Sequence, residues 1–79
     1  MPRLPDDDDW LRQERRAIGD RIRVRRIHEN RTQESVFLAA GISRSAYQQV
    51  EAGTSDVRIS SLLRIARVLG VHVTDLLHG

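Results

Sequence analysis

Beyond Pro5 the chain contains no proline, and its glycines act as punctuation. Gly41, Gly53 and Gly70 each follow a short run of helix-forming residues, the position where a helix ends in the left-handed conformation that glycine adopts at low cost. Thr32 and Ser43 stand just ahead of two of those runs, where a hydroxyl can accept the first free backbone N–H groups. The marks cut the chain into helices over about 33–40, 44–52, 59–69 and 73–77. A longer helix, free of proline and dense in helix formers, precedes them from Trp10 to about Asn30. No segment alternates as a strand with hairpin punctuation, and no internal repeat is visible. With 79 residues there is room for one small domain, so the reading is an all-α, five-helix fold.

The apolar residues sort by helical spacing. Leu11, Ile18 and Ile22 make one stripe on the first helix, while Trp10, Ala17, Val24 and Ile27 fall on a second flank. One helix of a tiny domain seldom needs two apolar flanks for its own core. Ile27 is read as core and Trp10 as interface, with Trp10, Val24 and Ile27 available to a protein partner. Val36, Phe37 and Ala40 face inward from the second helix. Ile59, Leu62, Ala66 and Leu69 do so from the fourth, and Val73, Leu76 and Leu77 are the apolar residues of the fifth.

Composition excludes several classes of function. There is no cysteine, so neither disulfides nor thiolate metal sites are available. His28, His72 and His78 lack metal-ligand spacing, and no nucleophile motif or phosphate-cradling glycine loop appears. No enzyme, metal or cofactor is expected. The opening residues MPRLPDDDDW lack the apolar stretch of a signal peptide, and no apolar run approaches the ~20 residues of a membrane helix. A soluble, cytoplasmic protein follows from that reading, with no membrane partner.

All 13 basic residues are Arg, and four of the 11 acids stand together at Asp6 to Asp9. Residues 1–9 read as a disordered acidic tail and residues 10–79 as the folded domain. Asp8 and Asp9 also suit the start of the first helix, where negative charge meets the positive end of the backbone dipole. The acidic run has a sharper reading as a phosphate mimic competing for the basic face. Residues 10–79 hold 12 Arg and 7 acids, a net +5, which favours a polyanionic partner without distinguishing it from a merely soluble surface.

The helix over 44–52 carries the chemistry. At about 100° per residue, Arg44, Ser45, Gln48 and Gln49 share one arc of about 140°, while Ala46, Tyr47 and Val50 take the opposite arc. A Gln amide donates and accepts together, matching adenine N6 and N7; an Arg donates twice, matching guanine O6 and N7. Any surface helix turns polar residues outward, so the spacing alone leaves two readings open. A short helix, a turn at Gly41 and then a helix with a polar outer face is a helix-turn-helix arrangement.

The stretch TQE…GISRS…VEAG followed by LLRIARVLGV resembles the XRE-type helix-turn-helix family, that of the phage repressors and Cro. The resemblance covers about residues 18–77. It implies a five-helix domain with the third helix in the major groove, binding operator DNA as a homodimer. The function so implied is a sequence-specific transcriptional regulator, a repressor on a palindromic operator, nucleoid-associated and of prokaryotic or phage origin. By resemblance Arg44, Ser45, Gln48 and Gln49 read bases, Gln33 braces a phosphate, and Thr32, Thr54, Ser55 and Arg58 touch the sugar-phosphate backbone. Glu51 matches an acid that pairs with Arg26 on the first helix; the plainer reading is two independent exposed charges. Val71, Val73, Leu76 and Leu77 are the expected dimer contacts.

Several positions depart from the family pattern. Phe37 stands where a small residue is usual, so repacking between the second and third helices is expected. Arg31 replaces an apolar residue and is read as an extra phosphate contact. Arg25 stands where Leu is common. Arg58 takes the place of a helix cap, leaving Asp56 or Ser55 to cap the fourth helix. Tyr47 replaces a buried aliphatic residue, with its ring in the core and its hydroxyl in reach of a phosphate. The alternative function is an antitoxin or a protein-interaction adaptor built on the same fold.

Overall fold

A computed structural model describes residues 7–78 of the chain. Five helices follow one another: α1 (Asp7–His28), α2 (Gln33–Ala40), α3 (Arg44–Ala52), α4 (Ile59–Leu69) and α5 (Val73–Leu77). Among the described residues there is no strand. The expected helices over 33–40, 44–52, 59–69 and 73–77 match these ranges. The first helix begins earlier than expected, so Asp7 to Asp9 belong to α1 rather than to a tail. Asp9 accepts from Arg12 Nη1 at 3.0 Å, a one-turn pair near the positive end of the helix dipole. The rest of the supposed tail, residues 1–6, lies outside the described residues, so of the acidic run read as a phosphate mimic only Asp6 falls there.

The caps form where the sequence places them. Thr32 Oγ1 accepts from Ser35 N at 3.0 Å, and Ser43 Oγ accepts from Ala46 N at 3.1 Å. Gly41 closes α2 at φ 71°, which lets the chain turn at once into Ser43 and α3. The α4 start departs from expectation: Arg58 is the N-cap residue and no side chain caps the helix. Asp56 is engaged elsewhere, accepting from Arg15 Nε at 2.7 Å and tying the α3–α4 loop to α1.

The core is one cluster. Ile22 from α1, Val36, Phe37 and Ala40 from α2, and Tyr47 and Val50 from α3 meet Leu62, Ile65, Ala66 and Leu69 of α4 and Leu76 of α5. Two expectations about α4 change. Ile59 is 74% exposed at the first position of the helix, whereas Ile65, which the spacing argument passed over, is fully buried. On α1, Ile18 and Ile22 pack inward, but Leu11 is exposed. Ile27 is also a correction: it is 58% exposed and takes no part in the core. Trp10 and Val24 are exposed as well.

The crossing of α1 over α3 is unusually close, and Gly19 makes it possible. A Cβ on Gly19 would stand 2.5 Å from both the Val50 and Glu51 carbonyl oxygens. This contact fixes how α3 sits on α1 and therefore where its outer face points.

Candidate nucleic-acid interface

α3 is anchored on one side and bare on the other. Tyr47, Val50 and Glu51 are buried, while Arg44, Ser45, Gln48 and Gln49 are exposed. The buried arc is rotated from the expected one: Ala46 is exposed, and Glu51 takes the inward place. The anchoring is both apolar and ionic. Arg26 Nε donates to Glu51 Oε2 at 2.7 Å and Arg26 Nη2 to Glu51 Oε1 at 3.2 Å, a two-pronged pair. Arg26 Nη1 also donates to the Arg31 carbonyl at 2.8 Å, which fixes the α1–α2 connection. The Tyr47 hydroxyl donates to Glu51 Oε2, and Gln33 Nε2 donates to Glu51 Oε1 at 3.2 Å.

These contacts decide the charge state. Burial pushes the Glu51 carboxyl upward, but the hydrogen bonds from Arg26, Tyr47 and Gln33 together outweigh it and hold the group below the usual carboxylate range. The Glu51 contact holds Arg26 charged beyond its ordinary range, against the opposing effect of burial. Burial, and then the bond to Glu51, pushes the Tyr47 phenol well above its ordinary value.

One expected backbone contact is corrected, and a second residue has a structural role the sequence did not suggest. Tyr47 is fully buried and its hydroxyl is held by Glu51, so it does not face a phosphate. Each Arg31 nitrogen makes one hydrogen bond, Nε to Ser35 Oγ at 3.2 Å, Nη1 to the Val68 carbonyl at 3.1 Å and Nη2 to the Ser35 carbonyl at 3.3 Å, which leaves one N–H on each Nη. Arg31 thus pins α2 to the last turn of α4, whose carbonyls lack partners within the helix. Gln33 is half-buried with one amide N–H committed to Glu51 and a second left over.

Thr32, Thr54 and Arg58 are exposed and Ser55 is half-buried. Thr54 follows Gly53, the residue that ends α3, with its N–H bonded to the Gln49 carbonyl at 3.1 Å. A polar cleft opens between α3 and the start of α4, lined in part by Ser43, Gln49, Arg58, Ser60, Ser61 and Arg64. Sequence reasoning missed Ser60, Ser61 and Arg64, since on an isolated helix they look like a solvated face. Their nearness to α3 was the missing signal, and only the packing supplies it.

The dimer expectation also changes in part. Leu76 is 2% exposed and belongs to the core, and its carbonyl accepts from Arg21 Nη1 at 3.0 Å. Leu77 is exposed, and Val71 and Val73 are half-buried against the core.

A family profile described as helix-turn-helix matches residues 22–76. The chain belongs to the XRE-type helix-turn-helix family. Its structure is similar to that of the restriction-modification controller protein C.AhdI from Aeromonas hydrophila, with a TM-score of 0.78 and 26% sequence identity. The likeness covers 81% of this chain and 97% of that one. The sequence matches none of the curated proteins. As a family member the chain is a DNA-binding transcriptional regulator, and the family is not one of enzymes. Among the described residues no helix is long and apolar enough to cross a membrane. The family match begins at Ile22, within α1.

Proposed function

We propose that the chain is a repressor that binds a palindromic operator as a homodimer, with α3 in the major groove. The observation that carries the reading is the split of α3: Arg44, Ser45, Gln48 and Gln49 exposed on one side, Tyr47, Val50 and Glu51 locked on the other. Long polar side chains on a rigid base suit direct readout, where each bidentate pair contributes about 1–3 kcal/mol of discrimination. Thr32, Gln33, Thr54, Ser55 and Arg58 flank that face and are the backbone contacts of the proposal. The likeness to a controller protein supports control of transcription as the output. Leu77, with the edges of Val71 and Val73, forms the contact between copies.

The test is enrichment of random duplex DNA on the purified protein. A two-fold repeat with half-sites about one helical turn apart, ~34 Å, is expected. Enrichment without symmetry would remove the homodimer, and no enrichment at all would remove base reading.

A further inference from the structure

Arg44 is the first residue of α3, and that is an awkward place for a cation. The N-terminal end of a helix carries partial positive charge, so an arginine there is repelled by its own backbone. The structure answers with two contacts from α2. Glu34 Oε2 accepts from Arg44 Nη2 at 3.1 Å, and the guanidinium carbon lies 5.4 Å from the centroid of the Phe37 ring. That distance is within the range in which a ring quadrupole attracts a cation. The side chains of Arg44 and Glu34 are each more than half exposed, so the guanidinium is held without being covered. Phe37 is itself buried and packs beside Tyr47 at 6.3 Å between ring centroids, so the platform is part of the core.

We propose that Phe37 and Glu34 are positioning residues that hold Arg44 as a fixed reader, and so set the sequence selectivity at the base pair Arg44 contacts. The inference rests on the reading of α3 as the base-reading helix. A free arginine has many rotamers and finds phosphates as readily as base edges, and a phosphate contact carries no sequence information. Held by a carboxylate on one nitrogen and a ring on one face, Arg44 keeps its other N–H donors pointed in few directions. Less freedom is lost when those donors meet a guanine edge, and the pairing is correspondingly more selective. The Glu34 carboxylate also occupies the donor that would otherwise wander to a phosphate, which disfavours non-cognate duplexes.

The experiment is selection from random duplexes with the full chain and its R44A, F37L and E34Q variants, each checked by thermal melting. R44A identifies the base pair that Arg44 reads, by flattening selectivity there. F37L keeps an apolar core residue but removes the ring face, and it should weaken preference at that same base pair by about two- to fivefold, the scale of an exposed cation–ring contact. Other positions should keep their preferences, and F37L added to R44A should change nothing further at that base pair. A merely structural role for Phe37 would instead lower affinity evenly across all positions. E34Q should raise affinity for every duplex, because a negative charge near phosphate is gone, while losing preference at the Arg44 base pair. Where F37L fails to fold, E34Q carries the test alone. If R44A flattens one position and neither other variant touches it, the positioning inference is overturned and base reading stands. If R44A flattens nothing, Arg44 does not read a base, and the inference falls with that assignment.

Discussion

Glu51 has 5% of its surface exposed and takes hydrogen bonds from three residues on three helices. Removing Arg26 leaves a buried carboxylate without its counter-charge, which for such pairs costs about 3–5 kcal/mol. R26A is expected to lose that much in urea denaturation at neutral pH. The sign of the pH dependence follows from the depressed Glu51 value. Its stabilisation is complete above the ordinary carboxylate range and is lost as pH falls through the lower value of the folded state. Melting temperature should therefore fall on acidification, and most of that slope should vanish in R26A, where burial is opposed less. An unchanged acid limb in R26A would mean the pair contributes nothing to folding. The Arg26–Glu51 pairing was visible in the sequence, through the family resemblance. The part played by Tyr47 was not. Whether a phenol on that helix turns its hydroxyl outward or into the protein depends on the rotation of α3 about its axis, and a helical wheel fixes that only to within tens of degrees.

At the level of whole helices, the caps and glycine stops made both ends of α2 and α3 and the end of α4 legible, because each of those signals is local. Burial was less legible. Ile59 and Ile65 are both β-branched and both on α4, yet one is 74% exposed and the other has no exposure. The spacing argument chose Ile59 because it completed a regular series, but at the first position of α4 its side chain is left exposed. Ile59→Ala should therefore change stability by no more than about 0.5 kcal/mol, and Ile65→Ala should cost about 2–5 kcal/mol. Equal effects in denaturant titrations would show that the register of α4 is wrong. Gly19 makes the same point for α1. In an isolated helix, Gly19→Ala should help by about 1 kcal/mol. Here the new Cβ would meet two backbone carbonyl oxygens at 2.5 Å, and backbone cannot swing aside like a side chain. The variant should be destabilised, and by more than a typical overpacked side chain at about 1–3 kcal/mol. A gain in melting temperature would mean α1 and α3 are farther apart than this.

Taken as a whole, the molecule separates its arginines into two kinds, and composition could not tell them apart. A basic total implies a polyanionic partner only as far as the charges are free to meet it. Arg26 and Arg31 are spent inside the domain, on Glu51 and on the carbonyls of Ser35 and Val68. Arg58 is exposed at the start of α4, beside the cleft that borders α3. The sequence reading gave Arg31 and Arg58 the same role, and the structure predicts that they behave differently. Each phosphate neutralised on B-DNA contributes about −0.9 to the slope of log affinity against log salt. Arg58→Ala should weaken binding to all duplexes alike and flatten that slope by about one, with the melting temperature little changed. Arg31→Ala should leave the slope nearly as it was and lower the melting temperature instead, because α2 loses its tie to the end of α4. Titrations of operator DNA at several salt concentrations, run beside thermal melts, separate the two. If Arg31→Ala flattens the slope while the fold holds, its guanidinium leaves Ser35 and Val68 when DNA arrives, and Arg31 returns to the interface.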